Sequence, residues 1–93
     1  MATVKEKMYP FSGTKHAHDI DFRRARCKNE LYEMGIDKDH PYDAEKEKEL
    51  LKLEEQLDEL IGYMHEGVCY IPGRLYGLAQ ESVAWAAEQR RRA

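Results

Sequence analysis

Cysteine is scarce in this 93-residue chain: Cys27 and Cys69 stand alone and form no CxxC pair. Two isolated thiols exclude a disulfide framework and a cysteine-rich zinc module. They read as small packing residues in a reducing compartment, so a cytoplasmic location is expected. Long hydrophobic runs are missing as well. Nothing approaches the roughly 20 apolar residues that a membrane-spanning helix needs. The opening MATVKEKMYPFSG also lacks the apolar stretch of a signal peptide, so no membrane partner is expected. Glycine-rich phosphate loops and any Ser-His-Asp or Cys-His arrangement are absent too. That leaves no nucleophile to assign, and neither catalysis nor a cofactor is expected.

What is present is a helical seam. In Leu50–Met64 the apolar residues fall at Leu50, Leu53, Leu57, Leu60, Ile61 and Met64, alternating steps of three and four. Such spacing puts them on one stripe of a helix that packs lengthwise against other helices. Mean hydropathy is low at −0.82, yet 42% of residues are hydrophobic, too many for wholesale disorder. Six tyrosines, two phenylalanines and one tryptophan supply aromatic mass for a core or an interface. One small domain follows, near the size at which oligomerisation often supplies missing burial.

Residues 1–14 read as a tail, in which Tyr9 and Phe11 need somewhere to dock. A first helix is expected over Lys15–Met34, with Ala17, Ile20, Cys27, Leu31 and Met34 on one stripe and Gly35 ending it in a left-handed conformation. After a turn through Asp37, Asp39 and Pro41, a second helix should run from Asp43 to about Glu66, stopped by Gly67. Gly62 inside it predicts a close backbone approach. Val68–Gly73 reads as a connector too short for a sheet. The third helix is expected over Arg74–Arg91, its inner stripe Leu75, Leu78, Ala79, Ser82, Val83 and Ala86, with small residues such as Gly77 and Ala84 admitting a neighbour.

Charge divides along the chain. Lys15–Glu30 has five bases against three acids, Asp43–Glu66 nine acids against three bases, and Gly67–Ala93 four arginines against two glutamates. This suits helices that pair by charge within a bundle or between subunits. With a net charge of −3, the chain is no general binder of duplex DNA.

Three clusters invite a chemical reading. His16-Ala-His18 could suggest a metal, but on a helix start the two rings point about 200° apart, and no standard ligand spacing follows; no metal site is expected. Glu54, Glu55, Asp58, Glu59 and Glu66 repeat along the outside of a seam as a solvated face does, not as a catalytic carboxylate pair. Anion recognition is the third. Pro72-Gly73-Arg74 opens a helix whose free N–H groups favour a phosphate, with Tyr70 and Tyr76 placed to stack on a base. Arg24 interrupts the apolar stripe of the first helix. It either lays its stem on the core or joins Arg23, Arg26 and Lys28 in a basic face that completes an anion site.

The stretch from Pro72 to Gln89 resembles the closing helix of a phage-encoded helical-hairpin family, through Pro72, Arg74, Leu78, Glu81, Val83, Trp85 and Ala86. That family includes small oligomeric sponges, of anti-CBASS and anti-Thoeris type, that sequester nucleotide signals of bacterial anti-phage systems. The likeness covers about a third of the chain. The family's doubled acid is Gln80-Glu81 here, and the first helix has no matching tyrosine. The resemblance implies a phosphate contact at Arg74.

The expectation is therefore an all-α domain: three helices, the second and third forming an antiparallel hairpin, in a homo-oligomeric bundle with the first helix or tail crossing between subunits. Two functions are consistent with it. One is a non-catalytic anti-defence protein that holds a nucleotide signal at subunit interfaces through Arg74, Arg24, Lys28, Tyr70 and Tyr76. The other is an acidic helical interaction module or inhibitor that binds a host protein.

Overall fold

The computed structural model describes residues 6–92; the first five residues of the expected tail, and Ala93, lie outside them. Five elements follow in order: β1 (Met8–Ser12), α1 (Gly13–Glu33), α2 (Ala44–Ile61), β2 (Val68–Pro72) and α3 (Gly73–Arg92). The chain is mostly helical but not all-α. Both segments read as irregular, the end of the tail and the connector, pair as an antiparallel two-stranded ribbon. Pro10 stands opposite Tyr70, and Phe11 opposite Cys69. The connector is short, and its strand partner lies far away in sequence. Its alternation is nevertheless that of a strand, with Cys69 and Ile71 buried and Val68 and Tyr70 exposed. Both strands are edges, where proline is tolerated.

The junction between ribbon and helix rests on two glycines. Ser12 makes no side-chain cap to α1. Instead the Gly67 carbonyl accepts the first N–H groups of that helix, Gly13 N at 2.5 Å and Thr14 N at 3.1 Å. A Cβ on Gly13 would collide with that carbonyl and meet Cys69 Sγ at 3.0 Å. Gly67 turns the chain in the left-handed region, at φ 96°. So Gly67 does not stop α2, which ends at Ile61 with Gly62 as C-cap. Among the described residues the Gly62 Cβ position meets only Glu59 O of its own helix, at 3.1 Å, and no other backbone approaches there. Gly35 does adopt the left-handed conformation expected after α1, at φ 83°, and Asp43 caps α2 by accepting from Glu45 N and Lys46 N.

The expected α2–α3 hairpin does not form. Helix α1 is the centre, packed along α2 and across α3, while α2 and α3 scarcely meet. The cause is β2: by pairing back to the tail it redirects the chain, so that the small inner face of α3 lands on α1. Ile20, Leu57, Leu60, Ile71, Leu75 and Ser82 are fully buried. Ser82 is satisfied there, donating to Leu78 O at 2.7 Å and accepting from Arg23 at 3.2 Å. Phe11 is buried beside Tyr76, ring centroids 5.6 Å apart and edge-to-face.

An oligomeric bundle was expected because the seam looked too thin to make a core alone. The ribbon supplies the missing material, through Phe11, Cys69 and Ile71, within one chain. The molecule stays flat, 46 × 40 × 18 Å, with a radius of gyration of 15.1 Å against about 12 Å for a compact domain of this length. Gly77 and Ala84, expected to admit a neighbouring helix, are exposed, and no atom of the described residues lies within 4 Å of a Cβ placed on Gly77.

Alanine substitutions separate these glycines by sign. Gly13→Ala should destabilise by about 1–3 kcal/mol through overpacking, and Gly67→Ala by about 1–2 kcal/mol through its left-handed backbone. Gly77→Ala should stabilise by about 0.5–1 kcal/mol, as at any open mid-helix position. Urea titrations of the three variants measure all of this.

Candidate functional site

Of the bases proposed for anion binding, Arg24, Lys28 and Arg74 each meet a carboxylate. Lys28 Nζ lies 3.9 Å from Glu54, and Arg24 Nε lies 3.2 Å from Asp58. As the number rises along α1 it falls along α2, so the two helices run antiparallel and zip basic face to acidic face. Arg24 also donates to Asp21 at 2.9 Å. Its Nε, buried, does not aim its hydrogen at Asp58, so that contact is an ion pair rather than a hydrogen bond. Arg74, at the start of α3, is held from two sides. Its Nε donates to Glu6 at 2.6 Å, and its two terminal nitrogens grip the Glu59 carboxylate, NH1 at 3.2 Å from Oε2 and NH2 on Oε1. A bidentate fork of this kind is the strongest form of the pair. It holds the Glu59 carboxyl below its ordinary range and pushes the Arg74 guanidinium further up.

The candidate residues are therefore not gathered into one pocket. Arg74 and Tyr76 do come near each other. An open hollow of about 550 Å³ is lined by Tyr9, Gly73, Tyr76 and Gly77, and one of about 230 Å³ beside it by Glu6, Lys7, Tyr9, Pro72, Gly73 and Arg74. Gly73 N, at the helix start, is already used by Lys7 O at 3.1 Å. Tyr76 is half-buried and packs edge-on against Tyr9 and Phe11. Arg24 and Lys28 belong to the α1–α2 seam and line neither hollow, and Tyr70 stands on the outer face of the ribbon, 60% exposed.

Other polar groups knit α1 to α3 in pairings that the sequence did not suggest. Arg23 donates to Glu81 at 3.1 Å and lies over the Trp85 ring, 5.9 Å from its centroid. Asp19, nearly buried, takes Arg90 and sits 3.7 Å from His16 Nδ1. No spacing rule links positions so far apart in sequence. The thiols are structural: burial pushes Cys27 up, away from thiolate, and Cys69 Sγ accepts His65 N–H at 2.9 Å.

What remains unsatisfied is apolar surface. On the ribbon Val68 and Tyr70 are each 60% exposed and Met8 39%. Cross-strand partners share a face, so Tyr70 with Pro10 and Val68 with Ser12 build one outward surface. The alternation Val68-Cys69-Tyr70-Ile71 carried this signal, had it been read as a strand. At the far end of the α1–α2 pair, Tyr32, Ile36 and Tyr42 are exposed too. No described helix is long and apolar enough to cross a membrane.

No protein-family model, curated protein or solved structure matches the chain. Nothing in these comparisons links it to the phage helical-hairpin family.

The Arg74–Glu59 tie sets a pH dependence. Because the folded Glu59 pKa is depressed, its contribution is complete above the ordinary value of 4.5 and is lost as pH falls through the lower folded value. Acid unfolding of Glu59→Gln should be shallower than that of the wild type below pH 4.5. Thermal melts from pH 7 to pH 2.5 check it, and identical slopes would remove the pair from the stability of the fold.

Proposed function

We propose that the protein is a non-catalytic interaction module of the cytoplasm that docks a protein partner on the outer face of its ribbon. The observation that carries this is the exposed apolar surface at Val68, Tyr70, Pro10 and Met8 on a sheet that has two strands among the described residues, each with an outer edge that pairs with no further strand there. Contiguous apolar surface of this kind marks interaction sites, and open edges can take an added strand. The acidic face of α2, the other candidate surface, is partly spent within the chain, since Glu54, Asp58 and Glu59 each face a base of α1 or α3 while Glu55 stays exposed. Reversing those charges would break the fold's own pairs, so it is no test of docking.

Sequestration of a nucleotide-derived signal is the second reading. It is favoured by the hollow at the start of α3, where Tyr9 and Tyr76 flank Gly73 beside Arg74. A phosphate there must displace Glu6 and Glu59 from the guanidinium.

The two readings part experimentally. With docking on the ribbon, a partner retained from host extract by the immobilised wild type should fall about tenfold or more with Val68→Asp/Tyr70→Asp. It should be unchanged with Arg74→Ala, and melting temperature should not respond to cyclic or linear nucleotides. A nucleotide-dependent rise that Arg74→Ala abolishes, with retention indifferent to the ribbon double variant, would overturn docking in favour of sequestration.

A further inference from the structure

The segment Glu33-Met-Gly-Ile-Asp37-Lys-Asp-His40 closes on itself where α1 ends. Gly35 turns left-handed at φ 83°. Ile36 N and Asp37 N both donate to Glu33 O at 3.0 Å, His40 N donates to Asp37 O at 2.9 Å, and Gly35 N returns to His40 O at 3.1 Å. This backbone knot brings three side chains together. Asp37 uses Oδ1 to accept Asp39 N–H at 2.9 Å, which orients its other oxygen, Oδ2, to within 3.1 Å of His40 Nδ1. Glu33 Oε2 lies 3.8 Å from the same nitrogen. The three donor atoms all fall within 4.8 Å of one another.

We propose that Glu33, Asp37 and His40 form a binding site for a first-row divalent cation of the zinc, cobalt and nickel class. Its ligands are His40 Nδ1 and one oxygen from each carboxylate. Tetrahedral bonds of about 2.0–2.1 Å place neighbouring donors roughly 3.3 Å apart, and the separations of 3.1 and 3.8 Å bracket that value. Charge points the same way. Two carboxylates face one imidazole at the negative end of the α1 dipole, and among the described residues neither carboxylate is ion-paired to a lysine or arginine. An imidazole donor selects this class over magnesium and calcium, which prefer oxygen throughout. The cation takes Nδ1 of a neutral ring whose hydrogen sits on Nε2; a proton held on Nδ1 beforehand leaves to solvent from an imidazolium, or is replaced by one taken up at Nε2 from a neutral ring. All three side chains are partly exposed, so water completes the shell. The steps of four and three from Glu33 to His40 are helical in spacing, but Gly35 ends the helix before Asp37, so in the sequence these residues read as a turn and suggested no metal site here. The proposal does not depend on the ribbon as a docking surface.

The test is calorimetric titration of the chelator-treated full chain with zinc chloride, followed by amide NMR. One-to-one uptake is expected, with signal changes centred on residues 33–40. His40→Ala and Asp37→Asn should each weaken binding by at least about tenfold. Glu33→Gln, which keeps shape at an exposed helix end, should weaken it as well, with circular dichroism unchanged. Magnesium chloride at equal concentration should not compete, and His18→Ala should bind as the wild type does. Absence of zinc uptake, uptake indifferent to His40→Ala, loss in His18→Ala, or equal competition by magnesium would each overturn the site.

Discussion

The carbonyl of Gly67, set against Gly13 and Thr14, is the interaction on which the rest of this fold depends. A helix start needs acceptors for its free N–H groups, and here they come not from a neighbouring side chain but from a loop on the other side of the sequence. The approach is possible only because position 13 has no Cβ, and it is aimed correctly only because Gly67 turns with positive φ. Once that contact is made, β1 and β2 lie side by side. Phe11, Cys69 and Ile71 can then roof the helices, and α3 must leave from the far end of β2, across α1 rather than beside α2.

Charge pattern serves the same architecture. The basic first helix and the acidic second are complementary strips, and the antiparallel seam lets Arg24 meet Asp58 and Lys28 meet Glu54. Such exposed pairs contribute little each, but they govern register and keep like charges apart. They also decide what the surface can do. A guanidinium held by two carboxylates, as Arg74 is, offers an incoming phosphate no free fork. The same residues that look like ligand contacts in a list of bases are, in space, the chain's own counter-ions.

Function then moves to what is left unpartnered in a plate 18 Å thick. Apolar side chains on the ribbon face outward at one end, while the turn after α1 gathers an imidazole and two carboxylates at the other. One region is suited to a protein surface and the other to a small cation, and each is built from backbone geometry rather than from a recognisable motif.

By itself the sequence determined the helices. The three-and-four spacing of Leu50, Leu53, Leu57, Leu60 and Ile61, the Asp43 cap, the left-handed Gly35 and the small inner face of Ala79, Ser82 and Ala86 are local signals, written within a few turns of where they act. The second helix, expected to reach about Glu66, ends at Ile61, because helix propensity does not register where the chain is needed elsewhere. Tertiary structure alone decided the ribbon, the central place of α1 and the fate of the charged residues. Strand partners at Met8–Ser12 and Val68–Pro72 are joined by the whole helical hairpin, and no periodicity spans that distance. Whether Arg24, Lys28 and Arg74 are free or neutralised, and whether Glu33, Asp37 and His40 converge, depends on which backbones pass close in space. Side-chain chemistry names the groups available; only the packed chain sets their neighbours.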